Sequence, residues 1–180
     1  MKNVLLGVTS SIAAYKTAEL ANVLTKKGYT VDVVMTENAT RFIAPLTFQA
    51  LTKRKVHVGM FEDDFQNSVE HISLAKRADL CLIAPATANF IGKLASGIAD
   101  DMLTTVVMAI KSTPVYICPA MNTAMYENSI VQENIQKLIR HGYQFIEPRE
   151  ALLACGDLGK GALAEVDVII TEVLHRLQLL

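Results

Sequence analysis

The stretch LCLIAPATAN, residues 80–89, runs from an unbroken apolar segment straight into a loop of small residues. No polar side chain alternates within Leu80–Ala84, so both faces of this strand are covered, as in the centre of a parallel sheet. The stretch PVYICPAMN, residues 114–122, repeats the pattern through Val115–Cys118. Working outward, Asn3–Val8 (NVLLGV), Thr30–Met35 (TVDVVM) and Gln144–Ile146 (QFI) complete the expected strands. Helical patterns lie between and after them at Ile12–Lys27, Ile72–Arg77, Ala88–Ala95, Asp101–Ile110, Ser129–His141 and Asp167–Leu179. Gly28 and Gly142 follow Lys-Lys and Arg-His, as helix C-terminal signals do. Such alternation predicts an α/β fold: a doubly wound, Rossmann-like or flavodoxin-like parallel sheet flanked by helices, in one domain over residues 1–180. Segment Thr36–Asp64 is expected to hold a short helix in ATRFIAPLTFQALT and an irregular strand around Lys55–Val58.

Composition narrows the function classes. With 180 residues, 51% hydrophobic and 19% charged, the chain suits one compact domain burying roughly 70% of its unfolded surface. A net charge of −1 with acids and bases mixed leaves no basic stripe for nucleic acid or acidic lipid. Cys81, Cys118 and Cys155 are far apart and odd in number, which argues for a reducing compartment over a disulfide frame. His57, His71, His141 and His175 lack metal-ligand spacing, so no metal is expected. MKNVLLGVTSSIAAYK imitates a signal peptide, but its apolar core is short and Lys16 and Glu19 interrupt it. No run approaches the ~20 apolar residues of a membrane span. The expected location is cytoplasmic.

In open α/β sheets, ligands bind beyond the carboxyl ends of the strands, so the loops there sample the site. The first strand leads into Thr9-Ser10-Ser11, with helix-start N–H groups and hydroxyls suited to a phosphate. Taken alone, the same trio reads as an ordinary helix cap. With only Gly7 present, a GxGxxG dinucleotide fingerprint is lacking. The second strand ends in Thr36-Glu37-Asn38. The third gives Ala84-Pro85-Ala86-Thr87-Ala88-Asn89, small enough for close approach of a planar ring. The fourth gives Pro119-Ala120-Met121-Asn122. Small, hydroxyl- and amide-rich loops on one edge suit a mononucleotide; plain tight turns remain the alternative.

Further features carry chemistry. His71, in SVEHISLAKRAD, precedes a short helix; it reads as a structural residue or as a base at neutral pH. ACGDLGKGALAE, residues 154–165, is expected to form a hinged flap, because Gly156, Gly159 and Gly161 make a poor helix or strand. Cys155 lies at its base, and an ordinary thiol, titrating about 8.5, carries a proton to donate at neutral pH.

Together, GVTSSIAAYK, EHISLAKRADLCLIAPATANFIGKLASGIADDMLT, PAMNTAM and ACGDLGKGALAE resemble the flavin-dependent cysteine decarboxylases, from the first strand to about Val166. The likeness is greatest to those acting on 4'-phosphopantothenoylcysteine in coenzyme A biosynthesis. It implies FMN as cofactor and a homotrimer, or a dodecamer built from trimers, with flavin near the subunit interface. Family flavin contacts carried to matching positions fall on Thr9, Ser10, Ser11, Thr36, Pro85, Ala86, Thr87, Ala88 and Ala120. His71 and Cys155 match catalytic positions, and Asn122, Met125, Leu152, Ala154 and Leu163 match substrate-binding ones. Ser10, Phe90 and Tyr126 depart from the family's frequent glycine, threonine and tryptophan, and Ala162 from the arginine of some members. The resemblance also implies a separate phosphopantothenate–cysteine ligase, because the ligase domain that often follows in bacteria is not in this sequence.

The chemistry explains the neutral amide in PAMN. Oxidising the thiol of an N-acylated cysteine to a thioaldehyde places the carboxylate β to a C=S bond, so CO2 leaves and its electrons pass to sulfur. Asn122 can orient that carboxylate without stabilising its charge as an arginine would. His71 would take a proton during oxidation, and Cys155 would protonate the ene-thiol as it is reduced again. Three other readings compete. Flavin prenyl transfer is opposed by the ACGD and PAMN motifs. A non-catalytic FMN-binding regulatory subunit and a peptidyl-cysteine decarboxylase remain alternatives.

Overall fold

A computed structural model describes residues 1–60, 69–154 and 156–180. Six parallel strands, β1 (Asn3–Val8), β2 (Thr30–Met35), β3 (Val56–His57), β4 (Leu80–Ala86), β5 (Val115–Pro119) and β6 (Gln144–Phe145), form one sheet in the order β3-β2-β1-β4-β5-β6. This is the Rossmann order, with its switch point between β1 and β4. An antiparallel hairpin, β7 (Arg149–Leu152) and β8 (Leu158–Ala162), stands apart as a second sheet.

The helices follow the expected places, with one short addition, α6, directly after the PAMN loop. They are α1 (Ala14–Lys26), α2 (Pro45–Thr52), α3 (Glu70–Arg77), α4 (Ala88–Ser96), α5 (Met102–Ala109), α6 (Thr123–Glu127), α7 (Ser129–Arg140) and α8 (Val166–Leu179). A 3-10 turn spans Glu37–Arg41, within the stretch where the sequence was ambiguous. Side-chain alternation divides the core cleanly. Val4, Leu6, Val8, Leu80 and Leu82 face α1, α2 and α8, meeting Leu20, Leu24, Phe48, Ile169 and Val173. Leu5, Cys81 and Ile83 face the other layer, with Leu74, Phe90, Ile91, Leu103 and Leu138. Each such large side chain, fully buried, contributes about 1.5–3 kcal/mol.

Asp32 is the one acid inside this frame among the described buried residues, and three elements hold it. Asn3 Nδ2 donates at 2.8 Å, Arg54 Nε at 2.7 Å and Arg77 Nε at 2.7 Å. Burial alone would raise its carboxyl; the bonds from Arg77, Asn3 and Arg54 outweigh that and hold it below the usual carboxylate range.

β4 continues past its expected end through Pro85 and Ala86, and its register with β5 shifts between Ile83 and Ala86. Carbonyls freed by that shift must find other donors. Thr17 Oγ1 of α1 donates to Ala84 O at 2.7 Å, and Thr9 Oγ1 donates to Pro85 O at 2.8 Å. The bend at the carboxyl edge is thus tied to the loop after β1.

Candidate functional site

Thr9 is 1% exposed and serves both sides of the switch point. Its hydroxyl donates to Pro85 O and accepts from Thr87 N–H at 3.1 Å, and its own N–H reaches Pro85 O at 3.3 Å. Thr87 Oγ1 then caps α4 by accepting from Phe90 N–H. Ala120 N–H donates to Ala86 O at 3.0 Å, adding the loop after β5 to the same floor.

Above this floor lies a cavity of about 610 Å³, within the range of small-molecule sites. Ser10, Ser11, Thr87, Ala88 and Ala120 line it, as do Asn122, Met125, Leu152, Ala154 and Leu163. The sequence therefore named much of the wall. Thr9, Pro85 and Ala86 do not line it, because they are buried beneath the floor that they brace. Thr36 is also absent from the lining; its hydroxyl instead accepts from Ala39 N–H and starts the 3-10 turn. His71 lies half-buried in the first turn of α3 and does not line the cavity of its own chain. Cys155 lies outside the described residues. Cys81 and Cys118 are fully buried, and burial pushes both thiols up, so neither is available at neutral pH.

The glycine-rich flap is a strand, where the sequence suggested a hinge. β8 contains Gly159 and Gly161 because the hairpin lies directly on the loop after β5. Met121 N–H donates to Gly161 O at 2.9 Å, and a Cβ built on Gly161 would sit 2.3 Å from Met121 O. A Cβ on Gly159 would meet Thr123 Oγ1 at 2.6 Å. Glycine is selected here by close backbone approach, not by bending. Lys160, between them, lies 5.7 Å over the Tyr126 ring and pairs with Glu147.

Asn122 ends the floor. Its Oδ1 accepts from Ala124 N–H at 2.9 Å, capping α6, and its Nδ2 donates to Asp157 Oδ2 at 3.1 Å. Sequence reasoning missed Lys16, Tyr15 and Arg149, which also line the cavity. The only local signal for Lys16 is its place one helical turn beyond Ile12. No acidic residue is among the described lining, and the backbone N–H groups of Ser10 and Ile12 find no acceptor among the described residues. Unpartnered donors in the loop before α1 and small apolar walls at Ala88 and Ala120 suit a planar ring carrying a phosphate. The residues present therefore fit FMN.

Comparison with known proteins agrees with this geometry. Residues 1–178 match the model of the family described as Flavoprotein. A probable phosphopantothenoylcysteine decarboxylase of Streptococcus mutans is 49% identical over 177 residues, covering 98% of this chain and 99% of that protein. The coenzyme A biosynthesis bifunctional protein CoaBC of Bacillus subtilis is 51% identical over 169 residues, covering 94% of this chain and 41% of that protein. The chain thus spans about two fifths of the length of that bifunctional relative. A PPC decarboxylase mutant complexed with pantothenoylaminoethenethiol superposes with a TM-score of 0.87 at 31% identity, covering 98% of each chain. The FMN-dependent cysteine decarboxylase SpaF superposes with a TM-score of 0.84 at 33% identity, covering 98% of this chain and 97% of its own. Among the described residues, no helix is long and apolar enough to cross a membrane. A cavity suited to a flavin, on a sheet matched along nearly its whole length, places the chain in the flavoprotein family, to which it belongs together with the phosphopantothenoylcysteine decarboxylases.

Proposed function

We propose that this chain is an FMN-dependent decarboxylase that converts 4'-phosphopantothenoylcysteine to 4'-phosphopantetheine in coenzyme A biosynthesis. The observation carrying this reading is the cavity between the α1 start and a hairpin docked on PAMN, with no acid among its described lining and the Asn122 amide at its edge. Ser10, Ser11, Thr87, Ala88 and Ala120 hold the cofactor from the floor. Bound there, FMN supplies a reversible acceptor for the two electrons of thiol oxidation.

The chain's own groups do the rest. Asn122 Nδ2 orients the departing carboxylate by a hydrogen bond from an uncharged donor, the kind it already gives Asp157. His71 takes the thiol proton, and Cys155 delivers a proton to the ene-thiol carbon. Met125, Leu152, Ala154 and Leu163 wall off water around the intermediate. His71 is absent from its own chain's cavity, so the reading has it supplied by a neighbouring copy. Exposed apolar side chains support such a contact: Ile12 is 60% exposed, Tyr15 61% and Leu152 72%, and all three line the cavity. The assembly is a homotrimer or a dodecamer of trimers in the cytoplasm, and a phosphopantothenate–cysteine ligase supplies its substrate.

FMN titration of the purified protein, followed by flavin fluorescence and gel filtration, tests the binding half. Stoichiometric quenching on a trimeric species is expected. A colourless monomer that takes up no FMN would overturn the reading.

A further inference from the structure

Two cations meet at one end of the cavity. Lys16 Nζ lies 3.7 Å from Glu165 Oε2, and Arg149 Nε lies 2.9 Å from Glu165 Oε1. The Arg149 contact is an ion pair without an aligned hydrogen bond, since the buried Nε finds no hydrogen-bond partner. One carboxylate thus faces two cations, and that carboxylate is itself 56% exposed while Lys16 is only 20% exposed. One positive charge is left over beside a cavity with no acid in its described lining.

The hairpin orients this charge. Arg149 on β7 is the register partner of Ala162, and both residues line the cavity. At the other end of the hairpin Leu152 faces Leu158, next to Asp157 and its bond with Asn122. Three residue steps along β7 carry the chain from Arg149 to Leu152, about 10 Å. The cavity is therefore polarised along the hairpin, with a neutral amide at the tip and surplus positive charge at the base.

We propose that Lys16 and Arg149 form a phosphomonoester subsite that holds the phosphate end of the substrate while Asn122 meets its carboxylate. This rests on the proposed reaction for the identity of the ligand. The substrate suits the polarity because its two anions lie at opposite ends of an extended arm. FMN carries the same phosphomonoester chemistry, but the N–H groups of Ser10 and Ile12, in the loop before α1, offer it donors of its own. Arginine gives the planar fork that a phosphate accepts, and Lys16 adds a point charge.

The test uses FMN-loaded protein and calorimetric titration with 4'-phosphopantetheine and with pantetheine, which lacks the phosphate. Wild type should bind the phosphorylated ligand more tightly, with a preference that weakens as KCl is raised. Arg149→Ala should weaken 4'-phosphopantetheine about tenfold or more and pantetheine less than about twofold, and Lys16→Met should act in the same direction. Retained pantetheine affinity shows that each variant is folded. FMN affinity, measured by fluorescence on the apoprotein, should stay unchanged. Equal loss for both ligands, or loss for neither, would overturn the subsite. A weaker FMN complex with the phosphopantetheine preference intact would overturn it too, assigning the cations to the cofactor. Binding is read apart from turnover: a wild-type protein that prefers 4'-phosphopantetheine but releases no CO2 keeps the subsite and fails the proposed reaction.

Discussion

Asn122 Nδ2 donates to Asp157 Oδ2 at 3.1 Å, so the amide assigned to the substrate carboxylate already engages a carboxylate on the chain's own hairpin. The same side chain caps α6 through Ala124 N–H. One neutral residue thus joins the loop after β5, the following helix and the flap.

Asn122→Asp would set two carboxylates side by side and repel a third on the substrate. Turnover at pH 7 should fall at least about 100-fold, roughly 3 kcal/mol of barrier. Activity should recover partly as pH is lowered, when one acid of the pair takes up a proton. FMN binding, read from the flavin spectrum, should persist. Unchanged turnover would remove Asn122 from the carboxylate contact.

Gly161→Ala tests the docking of the hairpin. The added methyl would lie 2.3 Å from Met121 O, a backbone atom that cannot rotate away. The hairpin should lift, with a tenfold or greater loss of kcat and a cost of about 1–3 kcal/mol confined to the flap. Hydrogen exchange should quicken at the Met121 and β8 amides and not in β1 or β4. Protection equal to wild type would contradict the close approach.

Thr9→Val keeps the shape of a buried side chain and deletes both hydroxyl bonds. Thr87 N–H loses its acceptor and Pro85 O loses one donor, at a cost of about 1–3 kcal/mol. Because these groups brace the cavity floor, FMN affinity should fall with stability, although Thr9 lines no part of the cavity. A lower Tm with unchanged FMN affinity would make Thr9 a matter of stability alone.

Asp32 gives the fold its acid sensitivity. With its carboxyl held low in the folded chain, its stabilisation is complete above the unfolded pKa of about 3.9 and drains away as pH falls through the folded value. Asp32→Asn should cost roughly 2–4 kcal/mol at pH 7, discounted because Arg54 and Arg77 are partly exposed. Denaturation curves should show the gap between the two proteins closing below about pH 4. A constant gap would deny the ionised network.

How much was legible in the sequence depended on whether the cause was local. Central strands such as β4 are apolar on both faces, and helix ends such as those before Gly28 and Gly142 carry their own signals, so the Rossmann-like sheet could be read directly. β8 could not, because LGKGA looks like a hinge until the backbone of Met121–Thr123 is laid against it. Thr9 read as a ligand contact, whereas its hydroxyl is taken by a carbonyl freed at the Ile83–Ala86 register shift. Arg149 carried no motif; only its pairing with Ala162 brings it to the cavity. For His71, nothing in the sequence signalled that it lies outside its own chain's cavity.

The most direct measurement is single-turnover mass spectrometry of FMN-loaded protein with 4'-phosphopantothenoylcysteine under exclusion of oxygen. Wild type should release one CO2 for each saturated 4'-phosphopantetheine formed, with no net reduction of the flavin. Cys155→Ser should release CO2 and accumulate the unsaturated thiol. Flavin-loaded wild type that leaves the carboxylate in place, or a Cys155→Ser variant that yields normal saturated product, would contradict the assigned chemistry.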